Sequence, residues 1–214
     1  MSQQAELIGD TISKDVKEVD STLREKDRVR EEVIKLTREI TRLSSSVVSS
    51  VHREDYTLAR KYVEALRDIV SKLLQLVESH PDLKYSGLVY NGLSEYVEAV
   101  LFYSIVAESR VLSLSELGVP FVPYLQGLGD LVGEFRRLVV RLLDKLDIVR
   151  AEHYFGIMEV IYENLRILVD YPDALIPGIR HKVDVAARLI EDTRILILNT
   201  KNSLRCINQQ FGTK

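Results

Sequence analysis

Apolar residues recur along this chain at steps of three and four. In the first fifty residues the pattern sharpens at Val33, Leu36, Ile40, Leu43 and Val47, which fall on one face of a helix. The same period predicts helices over about Leu7–Val51, Asp55–Glu78 and Ser86–Arg110. A short helix is predicted at Ser113–Leu117, where Ser113 and Glu116 have capping-box spacing. Three more follow at Pro123–Val149, Glu152–Val169 and Ile179–Ser203. The breaks between them fall at His80-Pro81, at "GVPFVP" and at "DYPDALIPG", where the scarce glycines and prolines gather. No segment alternates apolar and polar residues for long enough to predict a strand. The pattern therefore predicts an all-α fold of seven helices in a single domain over residues 1–214, with no linker and no internal repeat.

The first helix is the odd one. Some 45 residues would span about 65 Å, longer than a compact domain of this size. Its early part, KDVKEVDSTLREKDRVREE, is too charged to be core. That half either projects into solvent or packs on another subunit, with residues 1–20 expected to form a frayed arm.

The third helix carries the chemistry. Between Leu88 and Ala107 only Asn91, Ser94, Glu95, Glu98 and Ser104 are plainly polar. Glu95 and Glu98 interrupt the apolar run, so it is too short to cross a bilayer and no membrane association is expected. At 100° per residue, Asn91, Glu95 and Glu98 share a narrow arc, and every other direction around the helix is apolar. An unpaired carboxylate in such a place needs a cation or a proton. No basic residue lies between Lys84 and Arg110, so the cation must come from another helix or be a metal.

The candidate companion is "GLGDLVGEFRRLVVRLLDKLD". Asp130 and Glu134 lie one turn apart, with Arg137 and Arg141 continuing the line. This can be the polar side of an ordinary amphipathic helix. Gly127, Gly129 and Gly133 in the same turns weaken a helix unless something must approach its backbone. Four oxygen ligands without histidine would favour Mg²⁺, or Mn²⁺, over zinc. The absence of a Glu-x-x-His repeat argues against a di-iron bundle. His52, His80, His153 and His181 are dispersed and read as helix ends or edges.

Composition adds limits. With 29 basic and 32 acidic residues, the net charge of −3 gives no whole-molecule attraction to nucleic acid, so a polyanion site must come from local clustering. A single cysteine, Cys206, rules out an intramolecular disulfide framework and suits a reducing cytoplasm. The N-terminal residues lack a signal-peptide pattern, and no phosphate loop, G-x-S-x-G or Cys-x-x-Cys is present.

"GLSEYVEAVLFYSIVAESRVLSLSEL", "KLTREITRLSSSVVSSVHRED" and "PYLQGLGDLVGEFRRL" resemble segments of the translin family, and most closely its translin-associated factor X (TRAX) branch. The similarity runs from about Arg28 to Asn202 and is most specific at E-Y-V-E-A-V. The resemblance implies a seven-helix subunit that assembles into a hollow homo-oligomer, typically an octamer, holding single-stranded or short structured RNA inside, with single-stranded DNA as a further ligand. TRAX subunits are Mg²⁺-dependent endoribonucleases, whereas translin subunits mainly bind nucleic acid. By position, Glu95, Glu98, Asp130 and Glu134 correspond to the acidic catalytic and metal-binding set, in a site expected to exclude most water. Arg137, Arg141 and Arg110 are the candidate phosphate contacts. The basic, histidine-containing stretch of translin has no counterpart before Glu95, and the TRAX loop between the two acidic segments is much shorter here. The alternatives are a non-catalytic translin-type RNA- or DNA-binding oligomer and a helical scaffold that makes protein contacts only.

Overall fold

The structure, a computed structural model, describes residues 3–211, with side chains from Glu6 to Ile207. Helices follow one another as α1 (Gln3–His52), α2 (Tyr56–Val77), α3 (Pro81–Lys84), α4 (Gly87–Glu108), α5 (Leu114–Leu117), α6 (Phe121–Asp144), α7 (Ile148–Leu165) and α8 (Ile179–Phe211). The seven helices predicted from the periodicity are all present, joined by the single turn α3 and a 3₁₀ turn at Arg166–Leu168. No strand occurs among the described residues. No helix among them is long and apolar enough to cross a membrane.

Local chemistry marks the helix ends. Asp55 accepts from the Leu58 amide at 3.0 Å, and Ser113 and Glu116 complete the expected capping box. The break between α6 and α7 differs from expectation, while α1 begins earlier, at Gln3, and α8 runs further, to Phe211. The helix predicted to run to Val149 ends at Asp144, and the next begins at Ile148. Leu146 takes a left-handed φ of 60°, and the Asp147 amide turns back to the Leu142 carbonyl at 2.9 Å. A leucine in that conformation leaves no glycine or proline in the sequence to announce the turn.

α4 lies at the centre. α1 and α2 pack on one side of it and α6 on another, while α7 and α8 cover the far side of α6. From Val89 to Ser104 nearly every α4 side chain is buried, which explains why this helix lacks an ordinary polar face. The α4–α6 seam is tight at Gly127. A Cβ there would meet the Ser94 carbonyl and the Val97 side chain at 2.7 Å, so only glycine lets the two backbones approach this closely.

The two halves of α1 have different surroundings. From Val29 to His52 the helix contributes Val33, Ile40, Leu43 and Val47 to the core, as the periodicity predicts. From Glu6 to Glu25 every side chain is exposed, including Leu7, Ile12, Val16, Val19 and Leu23. The expected frayed arm at 1–20 is helical from Gln3 onward and stands clear of the body; residues 1 and 2 lie outside the described part.

Candidate active site

The α4–α6 seam gathers the four predicted carboxylates around two adjoining cavities. Glu95, Glu98 and Glu134 line the first, together with Arg137 and with Ser44, Ser45, Val48 and Ser49 of α1. Glu95 also lines the second, with Asn91, Ser94, Gln126, Asp130 and Lys182. The i, i+3 spacing of Glu95 and Glu98 and the i, i+4 spacing of Asp130 and Glu134 turn each pair toward the seam. Gly127 brings the two helices close enough for the pairs to interact.

Their charges are unequally compensated. Glu98 is pushed up to about 8, first by burial and then by repulsion from Asp130, Glu95 and Glu134. Glu95 moves in the same direction for the same reasons, with Lys182 opposing the shift in both cases. Glu95 itself is exposed and Glu98 lies deeper and half-buried, so the expectation that the site excludes most water is not met at Glu95. That deeper carboxyl carries the larger cost because it has lost more of its hydration. On α6, Asp130 forms a close ion pair with Lys182 of α8. Glu134 lies 2.5 Å from Nε2 of His52 and 3.7 Å from Arg137.

Sequence reasoning missed His52 and Lys182 as members of the site. His52 ends α1, as expected for a dispersed histidine, but its ring is buried against Phe102 and holds Glu134. Among the described residues its Nδ1 has no hydrogen-bond partner, and neither has the buried Ser44 hydroxyl in the cavity wall. Lys182 had one indirect signal, Gly129. A Cβ at 129 would meet the Lys182 Cβ at 2.9 Å, so this glycine is a notch for the lysine stem. Gly133 meets nothing within 4 Å and has no such role.

The three candidate phosphate contacts are not gathered in one place. Arg137 lines the first cavity and is largely exposed. Arg141 lies one turn further along α6, exposed, where its charge acts on Glu54. Arg110 follows the far end of α4, about 20 Å along the helix from Glu95 at the usual rise. It is paired there with Glu116.

The chemistry of the donor set suits a hard divalent cation, since all four groups are carboxylates and, among the described residues, Glu98 forms no ion pair, with only the more distant Lys182 opposing its shift. Their arrangement is not yet that of a metal cage. Among the described residues, no three Asp, Glu, His or Cys side chains stand together as ligands of one ion. The reason is visible on α6, where Asp130 is turned to Lys182 and Glu134 to His52. A divalent ion bound here would exchange those contacts for its own.

Comparison with known proteins agrees with this architecture. The model of the Translin family matches residues 28–191. An uncharacterised protein of Methanocaldococcus jannaschii is 31% identical over 172 residues, covering 80% of this chain and 76% of that protein. The Translin-associated protein X homolog of Schizosaccharomyces pombe is 24% identical over 178 residues, covering 76% and 77%. The structure of AfC3PO in complex with duplex RNA superposes with a TM-score of 0.82 at 28% identity, covering 88% of this chain and 97% of that one. Apo-NeC3PO superposes with a TM-score of 0.78 at 27% identity, covering 86% and 96%.

Proposed function

The chain belongs to the translin family, and we propose that it is a metal-dependent endoribonuclease acting on single-stranded or short structured RNA inside a homo-oligomer. The observation that carries this reading is Glu98, a carboxylate in a buried helix, repelled by three others and lacking a cationic partner of its own. Such a group is a liability in a purely structural protein and an asset where a divalent cation is to be bound. The similarity to a C3PO protein whose structure contains duplex RNA supports RNA as the ligand.

In this reading Glu95, Glu98, Asp130 and Glu134 hold Mg²⁺, with Mn²⁺ as an alternative. A divalent ion bound there would supply an ionised water and neutralise the charge of the scissile phosphate. Arg137, open to solvent on the rim of the same cavity, contacts a phosphate and fixes the strand over the carboxylates. Arg141 extends that cationic line, while Arg110 serves a more distant part of the strand. The exposed apolar residues of α1 and of α8, among them Leu198 and Ile207, supply surface for subunit contacts. An octamer is the proposed assembly, and single-stranded DNA a secondary ligand. One exposed cysteine suits a cytoplasmic setting.

A second reading has its own observation. Asp130 and Glu134 are already satisfied by Lys182 and His52, as they would be in a non-catalytic RNA-binding oligomer with a structural acidic cluster. Incubation of the purified chain with labelled single-stranded RNA, in Mg²⁺ or in EDTA, decides between them. Cleavage in Mg²⁺ alone is expected; binding without cleavage in either condition would favour the second reading.

A further inference from the structure

Lys182 differs from the other groups that touch the acids. It comes from α8, 52 residues away in sequence from Asp130, and its placement is specific in three ways. Its stem lies in the notch left by Gly129. The start of α8 is tied to α6 by the Gln126 side-chain amide, which donates to the Pro177 carbonyl at 2.9 Å. Gln126 is in turn reached by the Ser94 hydroxyl of α4 at 3.0 Å, so all three helices fix the lysine relative to Glu95 and Asp130. Yet the lysine is not locked in: 30% of its side chain remains accessible, and it forms part of the cavity wall.

That combination has a chemical meaning. An ammonium is a compact point charge that makes one strong contact and rehydrates readily, whereas a divalent ion brings twice the charge to several oxygens. A lysine paired with one carboxylate that is itself about a third exposed can therefore be replaced there. Once released, its four-carbon stem still rests against Gly129, and its charge stays within the cavity beside Glu95.

We propose that Lys182 is a displaceable counter-cation, which occupies Asp130 while no divalent ion is bound, yields that carboxylate to the ion, and then donates to a non-bridging oxygen of an RNA phosphate. The proposal rests on the endoribonuclease reading and adds to it a cation from outside the acidic helices. It also gives Gly129 a purpose that helix propensity alone denies it.

The test uses Lys182→Met and Lys182→Arg in the full chain. Mn²⁺ is titrated by calorimetry without RNA, and cleavage of labelled single-stranded RNA is then measured at saturating Mn²⁺. Lys182→Met is expected to bind Mn²⁺ about tenfold more tightly, the worth of one displaced charge-assisted contact. It should nevertheless cut RNA on the order of 10²-fold more slowly, through loss of a charge at the phosphate. Lys182→Arg, which keeps the charge, should return the Mn²⁺ affinity toward that of the unmodified chain. Unchanged or weaker Mn²⁺ binding by Lys182→Met, or an unchanged cleavage rate at saturating metal, overturns the proposal. Should Lys182→Met fail to fold, Gly129→Ala takes its place in the titration, because the added methyl pushes the lysine stem away from Asp130. An unmodified chain that binds Mn²⁺ and cuts no RNA would remove the nuclease reading, while the titration still decides whether Lys182 competes for Asp130.

Discussion

The two acidic pairs share a seam but not a charge environment. On α6, Asp130 and Glu134 each have a basic partner from a distant helix. On α4, Glu95 and Glu98 form no ion pair among the described residues, and both are pushed toward the protonated form. Carboxyl groups without a counter-charge are thus concentrated on the helix that is otherwise the most buried in the protein. The α6 pair is matched by basic side chains of the protein, whereas the α4 pair is not. In the proposed reading the demand for an external cation arises on α4, and α6 would supply ligands by exchange.

Substitutions that remove one member of each pair should break this comparison most sharply. Glu98→Ala is expected to reduce RNA cleavage by at least about 10³-fold, while the metal-free protein melts at or above the temperature of the unmodified chain. Asp130→Ala should lose cleavage as well, but it strands Lys182 and should lower the melting temperature by about 1–3 °C. Cleavage assays beside thermal melts with and without Mg²⁺ check both. A Glu98→Ala protein that cuts normally removes Glu98 from the site, and one that melts lower makes it a structural ion-pair member instead.

The seam itself can be tested through its glycines. Gly127→Ala should cost about 1–3 kcal/mol, because the methyl has no room between Ser94 and Val97 and α4 must shift. Gly133→Ala meets open space and should gain up to about 1 kcal/mol from helix propensity. Urea unfolding of the two variants measures the contrast, and equal effects would mean that Gly127 is not the point of close approach.

The α4 pair also predicts a pH dependence. The folded value of Glu98, about 8, lies above its ordinary 4.5. Below the ordinary value both folded and unfolded chains are protonated and the contribution is fully present. As pH rises the unfolded chain ionises first, so stability falls and is lost through about pH 8. Denaturant unfolding of the metal-free protein should show this decline, and Glu98→Gln should flatten it. A decline of equal size in Glu98→Gln would assign it to another group.

The smallest effect is expected at the rim. Arg137→Ala should weaken binding of unrelated RNA sequences by similar factors and reduce the salt slope by about one, as expected for one lost phosphate contact. Filter binding over a range of salt concentrations checks this, and a change confined to one sequence would mean that Arg137 reads bases rather than phosphate.

Much of this site was legible in the sequence because helical periodicity is local. The spacing of Glu95 and Glu98, the lack of basic residues around them, and the glycines beside Asp130 all concern residues within a few turns of one another. The same reasoning could not see His52 at Glu134 or Lys182 at Asp130, since those pairs are separated by 82 and 52 residues. It also misplaced the end of α6, where Leu146 turns the chain without a glycine.

By itself, then, the amino-acid sequence determined which segments are helical, which faces are apolar, and that α4 carries carboxylates without a local cation. Only the tertiary structure decided which charges meet, how deeply each carboxylate is buried, and why Gly127 and Gly129 are tolerated. Periodicity is set by backbone geometry within a helix, whereas compensation of a charge depends on whatever side chain the packing of distant helices brings beside it.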